Sequence, residues 1–317
     1  MKEIGGFFEL ELKRGKEYHD NAIRLNSGRN SLQYLLKAKR PGKIYLPYYI
    51  CNTLLEPVEN ETIEFKFYSI NEQFEPIIDE SVLTQDCVLL YVNYFGINDM
   101  IVNQLSTKYK NLIIDNSQAF YSLPIKGLST FYSPRKFFGV SDGGYVYTDW
   151  HMDPLNDRDV SYDRCEHLLK RVDIDAQSSY EVYKRNENAF STRPMKHMSR
   201  LTQAILSSID YERTKKTRKE NFRFLHKALK NINELDLSSN RVSSPMVYPL
   251  VVSKDGLKEF LIKNQIYVAT YWEEVLKRVK KGSFEHKLTK YLVPLPIDQR
   301  YGVGDMNRIV DKIYELI

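Results

Sequence analysis

The stretch NLIIDNSQAFYSLPIKGLSTFYSPRKFFGVSDGGYVYTD, residues 111–149, carries the clearest structural and chemical signals in this chain. It opens with the apolar run 112–114 and ends that run in Asp115. A buried parallel strand has this pattern, and its last side chain stands at the C-terminal edge of a sheet. Lys136 follows in a Ser-Pro-Arg-Lys segment, and the turn signal at 141–144 leads into the alternating run 145–148. One acid and one lysine therefore bracket a compact unit made of a strand, a loop and a second strand.

Strand-like runs also occur upstream, at 43–47, 63–68 and 87–92, with helical patterns between them. This alternation predicts an α/β fold with a mostly parallel sheet covered on both faces. Ligands of such sheets bind beyond the carboxyl ends of the strands, where Pro47, Asn93 and Asp115 fall. The alternating segment 9–12, near the start of the chain, is either an edge strand or an arm.

The second half of the chain has a different organisation. Residues 162–229 read as long helices, with a clear helix start at Met198. A smaller α/β unit follows, with strands predicted at 247–252 and 266–269, a helix at 256–263 and a final helix at 303–317. We therefore predict a large domain over residues 1–225, arm included, and a small C-terminal domain over 226–317.

Composition excludes several function classes. The chain has 317 residues, 42% of them hydrophobic, and no apolar stretch long enough to span a membrane. Its three cysteines lack zinc-site spacing, and its histidines lack metal spacing, so we expect a reduced cytoplasmic protein without metal. The net charge is +5, and the basic clusters at 213–219 and 277–281 are interpreted as solvated helix faces. No nucleic-acid-binding signature accompanies them, so neither nucleic acid nor a membrane is an expected partner.

A polar, glycine-containing loop at 25–31 opens a helical pattern. Ser27, Gly28 and Arg29 lie where free backbone N–H groups and the helix dipole make an anion site. An ordinary helix cap would show the same pattern, so this signal gains weight only from what accompanies it.

Together, Lys136, Asp115 and the loop at 27–29 meet the requirements of a pyridoxal phosphate site. The cofactor needs a lysine that can bind its aldehyde, a carboxylate that keeps its pyridine nitrogen protonated, and a helix N-terminus for its phosphate. The structural alternative is that Asp115 caps a loop and Lys136 pairs with it or with solvent.

The order of these motifs resembles that of the DegT/StrS family of sugar aminotransferases, which are fold-type-I enzymes dependent on pyridoxal phosphate. The matching segments are SGRNS at 27–31, LP at 46–47, FG at 95–96, IDNSQA at 114–119, PRK at 134–136, DGG at 142–144 and LPI at 295–297. The resemblance covers nearly the whole chain. It implies a fold-type-I transferase with a large cofactor-binding domain and a small C-terminal α/β domain.

The resemblance also implies roles for individual residues. Lys136 would bind the cofactor covalently and later move the substrate proton, and Asp115 would bond the pyridine nitrogen. Gln118 would lie beside the ring hydroxyl. The phosphate would be held by Ser27, Gly28, Arg29 and Ser133.

Ring stacking, the contact with the neighbouring subunit and substrate binding concern further residues. Cys51 falls where the family carries an aromatic residue stacked on the ring, so Tyr49 or Tyr48 is the alternative for stacking. The contact that the family sends into the neighbouring subunit's phosphate site would come from Arg193 or Lys196, or be absent. Substrate is expected at Tyr271 and Trp272.

The resemblance implies a pyridoxal phosphate-dependent aminotransferase that transfers an amino group from L-glutamate to a keto sugar. This sugar is expected to be nucleotide-linked, and the pathway to be surface polysaccharide or amino-sugar biosynthesis. The partners implied are these small molecules and a second copy of the chain, in a homodimer with shared active sites. The alternative is a protein of the same fold that binds cofactor or sugar without turnover and acts as a partner or regulator.

Overall fold

An eight-stranded sheet forms the centre of the molecule, as seen in a computed structural model that describes residues 4–191, 193–237 and 244–317. Its strands are β1 (Ile23–Leu25), β2 (Lys43–Pro47), β3 (Glu64–Ile70), β4 (Pro76–Ile77), β5 (Cys87–Val92), β6 (Leu112–Asp115), β7 (Ser129–Tyr132) and β8 (Gly144–Tyr147). They are arranged in the order β1-β8-β7-β6-β5-β2-β3-β4.

The five strands in the middle of this order, β7, β6, β5, β2 and β3, are parallel to one another, and β1, β8 and β4 pair antiparallel. Every residue of β5 and β6 is buried, as expected for near-continuous apolar runs covered on both faces. The parallel register places the carboxyl ends of β5 and β6 side by side, with Val92 opposite Asp115. The predicted α/β fold with a mostly parallel sheet is confirmed.

Ten α-helices accompany the strands in the described residues. They are α1 (Gly28–Lys39), α2 (Leu55–Asn60), α3 (Asp99–Lys108), α4 (Glu166–Asp173), α5 (Ala176–Asn188), α6 (Arg200–Ser207), α7 (Tyr211–Leu229), α8 (Leu257–Lys263), α9 (Phe284–Tyr291) and α10 (Val303–Leu316). None of the helices in the described ranges is long and apolar enough to cross a membrane.

The C-terminal part contains a second sheet of two antiparallel strands, β9 (Val247–Val251) and β10 (Leu292–Pro296). The strand predicted at 266–269 is wrong, because this segment has no regular structure. Gln265 adopts a φ of 59°, and the N–H of Ile266 donates to the carbonyl of Leu261, so the chain there closes the end of α8. The domain boundary between residues 225 and 226 stays a prediction; it falls inside α7.

The structure defines the N-terminal segment and the basic run 213–219 more closely than the sequence does. Residues 4–12 form no strand, and Phe7 and Phe8 are 100% and 95% exposed, which corresponds to an arm. The basic run 213–219 is not wholly a solvated face. Arg218 is 2% exposed, because it shares the buried face of α7 with Thr214 and Phe222 at helical spacing.

Candidate active site

A cavity of about 590 Å³ lies at the carboxyl ends of the parallel strands, with the C-terminal part of the chain as its far wall. Most of the residues singled out from the sequence line it: Ser27, Gly28, Arg29, Cys51, Asp115, Gln118, Ser133, Lys136, Tyr271 and Trp272. Segments separated by more than a hundred positions in sequence therefore converge on one space.

Asp115 and Lys136 are connected through Ser117. Asp115 is the last residue of β6 and is 2% exposed; its Oδ1 accepts from the N–H of Ser117 at 2.7 Å. Lys136 lies on the 3-10 turn that follows β7, and its Nζ donates to Ser117 Oγ at 3.0 Å. Burial raises the pKa of Asp115, while the charge of Lys136 and the hydrogen bonds of Ser117 act against that rise. A buried acid and an exposed primary amine thus face the same cavity.

The N-terminus of α1 forms another wall of the cavity. Ser27 is the N-cap, and its Oγ accepts from the N–H of Asn30 at 3.1 Å. The N–H groups of Gly28 and Arg29 lie in the first turn, where a helix offers them no internal acceptor. Arg29 Nη1 is buried and has no hydrogen-bond partner among the described residues. These donors make the helix start a suitable site for an anion.

Arg135 strengthens the positive potential at this wall. Burial lowers its pKa to about 10, with a further contribution from the charges of Arg29 and Arg193. Its guanidinium pairs with Glu187 and lies 4.1 Å from the ring centroid of Phe190. The only sequence signal for Arg135 is its place beside Lys136 in the PRK segment.

Helix α5 covers the cavity through Tyr183 and Glu187, and Phe190 follows directly after it. Nothing in the sequence pattern of α5 indicated this, because amphipathic spacing shows which face is apolar but not what the helix packs against. Arg193 lies near the same ring, 4.7 Å from the centroid of Phe190, with its Nη1 buried and without a partner among the described residues. Lys196 is directed elsewhere, 3.8 Å from Asp157.

The aromatic candidates for ring stacking stand behind the cavity. Tyr49 is fully buried, with its ring 4.6 Å from Trp272 and 5.7 Å from Tyr94, and Tyr48 stacks on Phe67. Neither tyrosine lines the cavity, whereas Cys51 does. Packing against Trp272 and Tyr94 holds the ring of Tyr49 in the wall, and its contact with the cofactor stays a prediction.

The remaining predicted residues have defined surroundings. Gln118 Oε1 accepts from the N–H of Phe95 at 2.8 Å, which fixes the amide at the cavity floor. Tyr271 stacks with Phe95 at 6.3 Å and with Trp272 at 5.7 Å. Asp298 and Arg300, which form an ion pair at 2.7 Å, also line this side. No group of metal-ligating side chains occurs among residues 4–191, 193–237 and 244–317.

The structure is similar to solved aminotransferases, although no family model and no curated protein matches the sequence. DesV of S. venezuelae, in complex with a ketimine intermediate, is 16% identical with a TM-score of 0.63, over 93% of this chain and 84% of that one. PseC of Helicobacter pylori, an aminotransferase involved in the biosynthesis of pseudoaminic acid, is 14% identical with a TM-score of 0.64, over 93% and 86%.

A DegT DnrJ EryC1 StrS aminotransferase from Brucella abortus is 16% identical with a TM-score of 0.62, over 93% of this chain and 85% of that one. Likeness at this level of identity concerns the fold and extends over nearly the whole length of both chains. The chain therefore has the fold of the DegT/DnrJ/EryC1/StrS aminotransferases, as the order of its sequence motifs predicted.

Proposed function

We propose that the protein is a pyridoxal phosphate-dependent aminotransferase that moves an amino group from L-glutamate to a nucleotide-linked keto sugar, in amino-sugar or surface polysaccharide biosynthesis. The observation that carries the proposal is one cavity that contains Asp115 and Lys136, joined through Ser117, together with the arginine-flanked start of α1. The similarity of the fold to PseC supports a sugar as the acceptor.

The residues present fit the cofactor at both of its ends. The N–H groups of Gly28 and Arg29, the hydroxyl of Ser133 and the guanidinium of Arg135 all line the cavity and suit a phosphate. Arg29 Nη1, buried without a partner in the described part of the chain, is a donor that such an anion would satisfy. At the other end, the buried carboxylate of Asp115 suits a protonated pyridine nitrogen.

The cofactor, when bound, supplies a reactive aldehyde and a ring that accepts electrons. Asp115 would hold the proton on the ring nitrogen, and a positive charge there would offset the cost of burying the carboxylate, as the charge of Lys136 already does in part. Lys136 carries the amine that takes the proton from the substrate carbon and returns it, as a general base and acid. Ser117 orients Lys136 through the bond from Nζ to Oγ.

Two walls flank Lys136, which remains exposed, and a substrate held between them would displace water from the site. Helix α5 covers one side with Tyr183, and Tyr271 and Trp272 cover the other. Exclusion of water strengthens the interaction between Asp115 and the ring and protects a reactive carbon from hydrolysis. Tyr271 and Trp272 are proposed to contact the sugar substrate.

A homodimer with shared sites is part of the proposal. Apolar side chains lie exposed on α4 and just after it, with Leu169 62%, Val172 84% and Ile174 61% exposed. This surface continues onto α5, where Tyr180 is 53% exposed and Tyr183 reaches the cavity. A second copy seated on this face would cover the patch and stand beside the active site.

The described cysteines are free thiols, which supports a reducing, cytoplasmic setting.

The test is a half-reaction with purified, cofactor-loaded protein. Adding L-glutamate should change the visible absorbance of the bound cofactor and release one equivalent of 2-oxoglutarate. Lys136→Ala should abolish this, whereas Lys126→Ala, an exposed lysine before β7, should leave it intact. A loaded protein that responds to no amino donor would refute the aminotransferase and leave the alternative, a binding protein without turnover.

A further inference from the structure

Arg218 is a buried guanidinium to which the proposed mechanism gives no role. It lies on α7 and is 2% exposed, and among the described residues no carboxylate forms an ion pair with it. The negative charge of Asp298 acts to raise the pKa of Arg218, but Asp298 forms its ion pair with Arg300. Burying a charged side chain without an ionic partner is costly, so its contacts must offset that cost.

The contacts of Arg218 are with main-chain carbonyls and one amide. Nη2 donates to the carbonyl of Phe137 at 3.2 Å, Nη1 donates to that of Met246 at 3.1 Å, and Nε donates to Gln299 Oε1 at 3.1 Å. Gln299 Nε2 donates to the same Phe137 carbonyl at 2.9 Å. The guanidinium also lies 4.6 Å from the ring centroid of Phe137. The side chains of Arg218 and Gln299, which are hydrogen-bonded to each other, therefore both donate to the carbonyl oxygen of Phe137.

This carbonyl belongs to the residue directly after Lys136. The N–H of Phe137 and the N–H of Phe138 both donate to the carbonyl of Pro134, at 3.0 Å and 2.9 Å. Internal bonds thus close the turn that carries Lys136, and Arg218 and Gln299 fix its far side. Without Arg218 and Gln299, only these internal bonds would hold the turn, and it would open more often.

We propose that Arg218 and Gln299 act as a clamp that positions Lys136 by holding the carbonyl of Phe137. The inference rests on the proposed function, for which Lys136 must reach both the ring and the substrate carbon. Arg218 borders the cavity, but its N–H groups donate to Gln299 and to main-chain carbonyls. It is then a positioning residue, which acts on the reaction through the turn.

The planar fork of a guanidinium explains why arginine occupies this position. Its five N–H groups can serve acceptors in several directions at once, here the loop before β9, the segment after β10 and the lysine turn. A lysine ammonium is a compact charge and cannot reach all three segments. The clamp therefore connects the C-terminal part of the chain to Lys136.

The experiment compares Arg218→Met with Arg223→Met, a matched change at an exposed arginine on the same helix. In cofactor-free protein, hydrogen exchange of the amides of Phe137 and Phe138 should rise roughly tenfold in Arg218→Met, because charged hydrogen bonds that hold the turn are lost. It should stay at the wild-type rate in Arg223→Met.

Two further variants separate positioning from general stabilisation. Arg218→Lys should recover much of the melting temperature but not the slow exchange, since the charge returns without the fork. Gln299→Ala removes one donor and should raise exchange in the same direction by less. In loaded enzyme, Arg218→Met should lower kcat roughly ten- to a hundredfold with little change in KM, as expected for a misplaced catalytic group.

The clamp is refuted if Arg218→Met and Gln299→Ala both fold and both exchange at the wild-type rate at residues 137 and 138. If Arg218→Met does not fold, Gln299→Ala decides by the same criterion. Failure of the proposed function has a different signature, a wild-type protein that binds no pyridoxal phosphate. The exchange measurement on cofactor-free protein judges the clamp in that case as well.

Discussion

Asp115 is a carboxylate on which opposing influences act. Burial raises its pKa, and Lys136 and the Ser117 hydrogen bonds lower it by less. The folded state therefore holds the Asp115 proton more tightly than the unfolded chain does, so stability is lost as pH rises through the raised pKa. Above this raised pKa the cofactor-free protein bears the cost of an ionised, buried carboxylate.

Asp115→Asn should accordingly stabilise the cofactor-free protein while it impairs catalysis. We expect a melting temperature higher than wild type by ~2 °C at pH 8, with the difference shrinking toward pH 4, where wild-type Asp115 takes up its proton. Scanning calorimetry at both pH values measures this. An asparagine variant that melts lower than wild type at pH 8 would show that the carboxylate is favourably placed without cofactor.

His19 is a second buried titratable residue, distant in role from the cavity. Burial lowers its pKa to about 4, against the opposing influence of its bond to the Phe120 carbonyl. The pKa is lower in the folded state than in the unfolded chain, so its contribution to stability is complete above pH 6.5 and is lost as pH falls toward 4.

His19→Gln removes this titration. The stability difference between wild type and variant should change by about 3 kcal/mol in favour of the variant between pH 7 and pH 4. Urea unfolding across that range provides the measurement. A difference that stays constant with pH would mean that His19 does not become charged on acid unfolding.

At the level of residues, the sequence identifies those groups whose type and motif carry chemistry. Asp115 and Lys136 stand out because one ends an apolar run and the other lies in a recognisable segment. Arg218 does not, since it sits within a run of basic residues and only its helical phase, in register with Thr214 and Phe222, separates it from its exposed neighbours. Motif alignment does not reveal which way a ring packs, so the position of the Tyr49 ring behind Cys51 could not be predicted.

Among the elements, the junction between α1 and β8 sets the position of the anion site. A Cβ on Gly144 would lie 2.4 Å from the carbonyl oxygen of Ser27 and 2.4 Å from Ser31 Oγ. Only glycine therefore lets β8 approach the start of α1 so closely. The second glycine of the DGG segment is therefore required for close packing, in addition to the turn that this segment signals in the sequence.

Gly144→Ala should push α1 away from the sheet. We expect a loss of about 1–3 kcal/mol in the free energy of unfolding, as for other overpacked sites. Binding of pyridoxal phosphate should weaken as well, because Ser27 and the amides after it move. Gly304→Ala is the control, since its added Cβ meets nothing within 4 Å. Equal stability and cofactor affinity for Gly144→Ala and wild type would contradict this account of the junction.

The sequence predicts the strands that are buried on both faces of the sheet. It does not predict elements whose conformation or position depends on tertiary contacts. Strands β5 and β6 are buried throughout, are apolar up to Asp115, and lie where the sequence predicts them. The segment 266–269 is also mostly apolar, yet it forms no strand. The N–H of Ile266, its first residue, donates instead to the carbonyl of Leu261 at the end of α8. The place of α5 over the cavity depends on contacts from Arg135, which no periodicity encodes.

At the scale of the whole molecule, exposed apolar residues indicate a surface that a second copy of the chain would cover. The exposed apolar face of α4 adjoins the helix that covers the cavity, and the arm at 4–12 carries Phe7 and Phe8 in the open. We expect the protein to sediment at twice its chain mass of 37.3 kDa. Val172→Glu, on the exposed face, should shift it toward the monomer without lowering the melting temperature of the chain. A wild-type protein that sediments as a monomer at micromolar concentration would contradict the shared-site homodimer.

The central claim is that Lys136 is the residue to which the cofactor becomes attached. Purified protein loaded with pyridoxal phosphate should be reduced with borohydride, digested, and mapped by mass spectrometry. We predict a single phosphopyridoxyl group on the peptide that contains Lys136, and none after the same treatment of Lys136→Ala. A modification on another lysine, or one that survives in Lys136→Ala, would contradict the account.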